Sequence, residues 1–431
     1  MNRIGALAWA ACLLLAGPAS AAGRASFDDL IANLKSPNAA TRQEAAGALG
    51  KSRRREAVAP LAALIRDPEP KVRMEVVRAL GALRDLDGVP ALVTSLGDGD
   101  PNVREEAVGT LVEVLSDAER TGPVGHFLEM FSDQYDRAPG APYTQVDPSV
   151  YRALATALRD EEPDIREEAA LALGILDGRP AVKELGAALQ DPVAGVRGKA
   201  ATAIGQVGSV EDGRAIIPLL ADENAGVRNR ALQALGVLRV KEAGPALREL
   251  YEQNRKKEAG LRALSCLSRI GDPAQADLFR ELLQDPDFER RRLAIEGLGR
   301  VSDASMLAAF KKDYQRERNE ELRLAYSFAL TLLGDRAFLD SIVLCLPSKT
   351  LGSRCRNYVL EMGRDMLTDL YPYLNDPDAE VRAQLCDILA LLGEPDAITR
   401  LTPLISDPSA KVADRANRAV ERLRGREKPS P

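Results

Sequence analysis

The chain reads as an all-α fold, an α-solenoid (superhelix) of about 11–12 short HEAT-sized helical hairpins, on three observations. One arginine recurs every 31 residues or close to a multiple of it. An aspartate stands six residues before it, and apolar residues follow it at helical intervals. Length alone would suggest two or three domains, since 431 residues exceed what one core usually serves. Repetition replaces that expectation with a stack of like units.

The arginines are Arg42, Arg73, Arg104, Arg166, Arg197, Arg228, Arg291, Arg323 and Arg382. Their aspartates are Asp67, Asp98, Asp160, Asp191, Asp222, Asp285 and Asp376, and Asp407 belongs to a last unit where Ala413 replaces the arginine. Proline follows directly in Asp67-Pro68, Asp191-Pro192, Asp285-Pro286, Asp376-Pro377 and Asp407-Pro408. Aspartate accepts from the free amides of a helix start and proline suits the first helical position, so each Asp-Pro is expected to open a helix. Within that helix Val196, Ala200, Ile204 and Val207 set out an apolar stripe, as do Val227, Ala231, Leu235 and Leu238. A glycine returns eight residues past the arginine at Gly50, Gly81, Gly174, Gly205, Gly236 and Gly299. Inside a helix each costs about 1 kcal/mol relative to alanine, so the recurrence implies a close neighbouring helix. After a turn comes a second amphipathic stretch, as in residues 89–96 or 182–189, which completes the hairpin.

The pattern Asp-Pro-x-x-x-Val-Arg-x-x-Ala-x-x-Ala-Leu-Gly resembles the short HEAT repeat of the phycobilisome (PBS) lyase-like HEAT families. The resemblance covers nearly all of the chain beyond its first residues. It implies an armadillo-like helical stack in which the aspartates and arginines form a structural ladder between successive units, most clearly at Asp191, Arg197, Asp222 and Arg228. An anion-binding arginine row is the other use of such residues, but each arginine has a matched aspartate. The ladder is therefore read as structure.

The first residues are a separate unit. Arg3 gives a positive start, residues 4–16 are an apolar run, and Ala19-Ser20-Ala21 supplies the small residues a signal peptidase reads. Residues 1–21 are expected to be removed, leaving an exported chain, periplasmic or secreted. A lipoprotein through Cys12 is disfavoured by Trp9 in place of an aliphatic residue. Beyond the leader, residues 22–115 and 148–310 are regular repeats, 116–147 an insertion with a loop, 311–375 divergent repeats, 376–423 the C-terminal repeats and 424–431 a disordered tail. No further long apolar segment follows.

The residues that carry chemistry are sparse, and the chain is expected to be non-catalytic. There is one histidine, His126, and no Cys-x-x-Cys, no Gly-x-x-x-x-Gly-Lys and no His-Glu-x-x-His. Deoxyhypusine hydroxylase resembles this fold but holds its irons with His-Glu pairs, and this sequence has none. The true phycobilin lyases are similar in their repeats, which keeps a chromophore-handling enzyme as an alternative, yet no chromophore-handling residue maps onto the chain. A structural envelope component is a further alternative. No metal or cofactor is expected. A net charge of -6 and a pI near 5.3 argue against a nucleic-acid partner. The basic runs Arg53-Arg54-Arg55, Arg255-Lys256-Lys257 and Arg290-Arg291-Arg292 are expected to be solvated turns and helix ends.

What remains is a protein partner. Phe and Tyr are nearly absent from the regular repeats and gather in the insertion and the divergent repeats. Phe328 and Phe338 lie among apolar residues and are read as gap fillers. Tyr135, Tyr143, Tyr314, Tyr371 and Tyr373 lie beside charged, polar or proline residues, and are the candidate partner-binding residues. Four cysteines follow the leader: Cys266, Cys345, Cys355 and Cys386. Cys345 and Cys355 flank one turn and are the candidate disulfide; the alternative is that all four are small buried hydrophobes.

Overall fold

The computed structural model describes residues 25–116 and 146–427, and within them every regular element is helical. They form two compact units, one ending at Asp85 and one beginning at Leu86. The leader, most of the insertion and the end of the tail lie outside the described residues.

In the first unit, Ser26 and Asp29 form a capping box on the helix Phe27–Asn33. It is followed by α1 (Ala39–Lys51), a short helix Val58–Ala62, and α2 (Pro70–Leu83). In the second unit the long helices are α3 (Pro101–Leu115), α4 (Pro163–Ile175), α5 (Ala194–Val207), α6 (Ala225–Leu238) and α7 (Glu258–Ile270). They continue as α8 (Phe288–Val301), α9 (Glu320–Leu332), α10 (Gly352–Met362), α11 (Ala379–Leu392) and α12 (Ala410–Glu427). Shorter helical pieces connect them, among them Val182–Ala188, Leu307–Arg316, Leu339–Val343 and Leu367–Leu370. This is the all-α solenoid read from the repeats.

Long helices pack on their successors, α1 on α2 in the first unit, and α4 on α5, α5 on α6 and α8 on α9 in the second. Val196, Ala200, Ile204 and Val207 of α5 are buried, as are Val227, Ala231 and Leu235 of α6. Full burial of a Val, Ile or Leu is worth about 1.5–3 kcal/mol, so this stripe drives the stacking. The recurring glycines set how close it comes. A Cβ on Gly50 would lie 2.7 Å from Cα of Ala79, and one on Gly299 would lie 2.7 Å from Cα of Ala329. Gly205 meets Ala234 in the same way, its Cβ position 2.9 Å from the alanine methyl.

The Asp-Pro pairs do not open the helices. Asp67, Asp160, Asp191, Asp222, Asp285, Asp376 and Asp407 each accept from the backbone amide two residues on. That amide belongs to the residue before the helix; Glu69, for example, is the N-cap of α2 and Asn224 that of α6. The aspartate thus closes a side-chain turn, whose proline pre-sets φ, one step ahead of the helix. Both kinds of start use the same residue types, which is why sequence alone mistook one for the other.

In five of these seven turns the same carboxylate also takes an arginine of the preceding repeat. Arg42 donates through Nε and Nη2 to Asp67 at 2.7 and 2.8 Å. Arg166 reaches Asp191 at 2.7 and 3.0 Å, Arg197 reaches Asp222 at 2.7 and 2.9 Å, and Arg382 reaches Asp407 at 2.9 and 2.8 Å. Arg104 makes the same pair with Asp160 across the insertion, at 2.7 and 2.8 Å. The Nη1 of each arginine returns to its own turn, as Arg197 does to the carbonyl of Asp191 at 2.9 Å. Arg73 likewise donates to the carbonyl of Asp67 at 2.7 Å, and Asp98 accepts from the amide of Asp100 at 2.8 Å. Burial opposes ionisation of Asp191, but Arg166 and the Val193 amide outweigh it and hold its pKa below the usual carboxylate value.

The ladder is interrupted where its partner residue is missing. Arg228 and Arg291 keep bonds to the carbonyls of Asp222 and Asp285, both at 2.7 Å, but Gln253 and Arg316 stand where the next carboxylate would be. Asp285 instead takes Arg290 at 3.3 Å, and Asp376 serves its own turn through the amide of Asp378 at 2.8 Å. At the C-terminus α12 runs on to Glu427, past the point where a tail was expected. Extending a formed helix through Arg and Glu residues needs no new nucleus.

If close approach explains the glycines, Gly299→Ala will lower stability by about 1–3 kcal/mol. Gly186→Ala, in a helix where a Cβ meets nothing within 4 Å, will leave it unchanged or raise it by up to about 1 kcal/mol. Urea midpoints of the two variants measure this, and equal effects would refute the packing account.

Candidate functional site

Polar groups are buried where α8 meets its neighbours. Arg292, Glu296 and Arg300 recur every four residues on one face of α8, and Glu296 is only 4% exposed. Arg292 donates to Glu296, and so does the Tyr358 hydroxyl from α10. Arg300 reaches Glu296 at 3.3 Å and Ser268 Oγ of α7 at 3.0 Å. Its other nitrogens hold Glu361 of α10 at 2.8 and 3.0 Å. Arg239, just past α6, donates to that same Glu361 at 2.7 Å. Phe328 of α9 stacks on Tyr358 at 4.1 Å and lies under the Arg300 guanidinium at 4.9 Å.

Burial opposes the charge on Glu296, but Arg292 and Arg300 overcome it and hold the carboxyl at about 2. Burial and the Glu296 charge push the Tyr358 phenol well above its ordinary value. A general acid or base works with a pKa near the operating pH, and neither group has one. The cluster is a cross-link among five helices. It corrects the reading of Arg290-Arg291-Arg292 as solvated, since the Arg290 and Arg292 side chains are 19% and 14% exposed. The signal in the sequence was the four-residue spacing of Arg292, Glu296 and Arg300 amid Leu293, Ile295 and Leu298.

Tyr314, Tyr371 and Tyr373 of the divergent repeats lie on the short pieces. Tyr314, on Leu307–Arg316, meets Phe338 edge-on at 5.0 Å, with the Arg323 guanidinium 4.7 Å from its ring. Its hydroxyl is 3.5 Å from Ser341 Oγ. Tyr373 donates to Asp340, one residue from Ser341. Tyr314 and Tyr373 therefore flank the segment Leu339–Val343 from the repeats before and after it. Leu344, at the end of that segment, is 52% exposed. Tyr371 turns the other way, under the Arg400 guanidinium at 5.5 Å, and lines an open cleft of about 600 Å³ with Thr368, Asp396 and Thr399. All three rings are half-buried. Phe328 is fully buried and Phe338 half-buried, Phe338 as the partner of Tyr314 rather than of the core alone. Tyr135, Tyr143 and His126 lie outside the described residues.

The family profile of HEAT repeats matches residues 27–112, 151–236, 213–299, 244–331 and 367–430, which is most of the chain. The chain belongs to the HEAT-repeat family. No curated protein matches it. Among solved structures it is similar to an engineered protein, at 19% identity and a TM-score of 0.38 over 92% of this chain and 98% of that one. It is also similar to YibA of E. coli, at 18% identity and a TM-score of 0.41 over 63% of this chain and 91% of the other. A third is the complex of CpcE and CpcF of phycocyanin lyase from Nostoc sp. PCC7120, at 22% identity and a TM-score of 0.30 over 65% and 97%. At these scores the likenesses carry no argument about activity.

In this HEAT-repeat chain Cys345 and Cys355 are joined as a disulfide, with Cα atoms 6.1 Å apart. The bond ties the end of one repeat's short piece to α10 of the next. Cys266 and Cys386 are free and buried, and burial pushes each thiol up to about 12. Among the described residues no group of three His, Cys, Asp or Glu side chains is placed to hold a metal ion. No helix among them is long and apolar enough to cross a membrane.

The depressed pKa of Glu296 fixes a pH dependence. An unfolded glutamate protonates below about pH 4.5, whereas Glu296 in the fold stays charged down to about 2. Its linked stability is therefore fully present above about pH 4.5 and is lost as pH falls toward 2, by about 3 kcal/mol in all. Denaturant melts at successive pH values will show this fall, and Glu296→Gln will flatten it. An equal slope in the variant would show that other carboxylates carry the acid sensitivity.

Proposed function

We propose that this HEAT-repeat chain is an exported, non-catalytic scaffold that binds a protein partner through its solenoid surface. The observation that carries the reading is the placement of Tyr314 and Tyr373 on either side of one segment, with exposed Leu344 beside them and Tyr371 leading into the adjoining cleft. Half-buried phenols with their rings already fixed lose little conformational freedom on binding, and such residues dominate binding hot spots. The ionic cluster, with no group titrating near neutral pH, supports a scaffold rather than an enzyme. Export is supported by the tripartite start of the sequence and by the Cys345–Cys355 bond, since disulfides persist in oxidising compartments.

Two measurements test it. N-terminal sequencing of the native protein will start after Ala21; a retained Met1 or a lipid on Cys12 would remove the export claim. In proximity labelling of the exported protein followed by pull-down, Tyr314→Ala, Tyr371→Ala and Tyr373→Ala together will weaken capture of the dominant partner at least about tenfold, a loss of the size hot-spot residues carry. Undiminished capture by a variant of unchanged circular dichroism would overturn the surface.

A further inference from the structure

The Arg239–Glu361 pair joins residues 122 apart in sequence, from the end of α6 to the end of α10. Three long helices stand between those two in the chain. Packed helices lie about 8–10 Å apart, so in a straight row α6 and α10 would be separated by about 32–40 Å. An arginine and a glutamate side chain cannot bridge that gap. α10 is therefore not the next rank of that row: its Tyr358 meets Phe328 of α9 and Glu296 of α8, and Glu361, about one turn further on, reaches Arg300 and Arg239, so α10 lies back across the row with Glu361 at its far end.

Two further features place the latch on this residue. Glu361 is 8% exposed at its side chain and accepts both Arg239 and Arg300, whose own exposures are 50% and 7%. Burial opposes its ionisation, yet the Arg300 and Arg239 charges, with Arg269 adding to them, hold its pKa below the usual value. Arg239 caps α6 at φ +55°, a left-handed conformation that α7 and α11 assign to Gly271 and Gly393. Arg84 and Ser302 cap α2 and α8 in the same way, so the conformation is not particular to Arg239, but a glycine there would adopt it without strain.

We propose that Glu361 is a docking latch: by bridging Arg239 and Arg300 it holds α10 back across the repeats of α6 to α8. Tyr314 precedes α10 in the chain and Tyr371 and Tyr373 follow it, so the latch also fixes the spacing of the partner surface. That consequence rests on the proposed function; the latch itself does not. The latch has one half-exposed member, Arg239, and two buried ones, so it opens from the Arg239 side while Arg300 stays on Glu296.

The test uses the full chain carrying Cys12→Ser, with spin labels at Lys241→Cys and Asp365→Cys, both exposed; the buried Cys266 and Cys386 thiols and the bonded Cys345 and Cys355 do not compete for label. Pulsed dipolar spectroscopy compares this protein with Glu361→Gln and with Arg239→Gly, which removes the guanidinium and relieves the backbone at once. In both variants the distance will lengthen by about one helix spacing, 8–10 Å, and its distribution will broaden. Should Glu361→Gln fail to fold, Arg239→Gly alone decides. An unchanged distance in a folded variant overturns the latch. Lengthened distances with undiminished partner capture keep the latch and remove the tyrosine surface from the proposed function. Unchanged distances with capture lost in the tyrosine variants do the reverse.

Discussion

Everything in this fold hangs on one guanidinium geometry. The planar fork of a ladder arginine offers two parallel N–H groups to a carboxylate and keeps a third nitrogen for a carbonyl, which lysine cannot do. In Arg197 the carboxylate is Asp222 of the next repeat and the carbonyl is that of Asp191 in its own. One side chain thus fixes both the turn inside a repeat and the step to the following one. The apolar stripe supplies most of the stacking energy, but it is tolerant of sliding; the bidentate pair is not. Stacking and register therefore have separate causes.

That division explains which parts were legible in the sequence. A feature repeated at every step leaves a period, and the Asp and Arg positions and the glycines facing Ala79, Ala234 and Ala329 were all read from it. What the period could not report was the role of each aspartate, since a side-chain turn and a helix cap draw on the same residues. Arg228 and Arg291 keep the motif's aspartate six residues before and its glycine eight residues after; only the identity of Gln253 and Arg316, in the following repeats, shows that their rungs are incomplete. A motif describes one repeat, whereas a rung belongs to two.

The ionic cluster was illegible for a different reason. Glu361 gathers Arg239 and Arg300 from repeats that are not its neighbours, and a contact made once leaves no recurrence to detect. The cluster also sits where the ladder is weakest: the rungs from Arg228, Arg291 and Arg323 are incomplete, Ser348 standing where the last of these would find its carboxylate, and α6 to α10 are the helices the cluster joins. A fold that loses its local registration device between these repeats has a long-range one in the same stretch. Buried ion pairs add little net stability over apolar packing, but they penalise misaligned arrangements heavily, which is the property a register device needs.

The rung between Arg104 and Asp160 differs from the others in its chain path alone. Elsewhere 25 residues separate the two partners, here 56, and the hydrogen-bond lengths match to within 0.1 Å of those of Arg42 and Asp67. The joint between these repeats is thus made by surfaces and not by the peptide that happens to connect them. Loop length and joint geometry are decoupled at this step of the stack: Arg104 and Asp160 meet as a plug meets its socket, whatever the length of the cord between them.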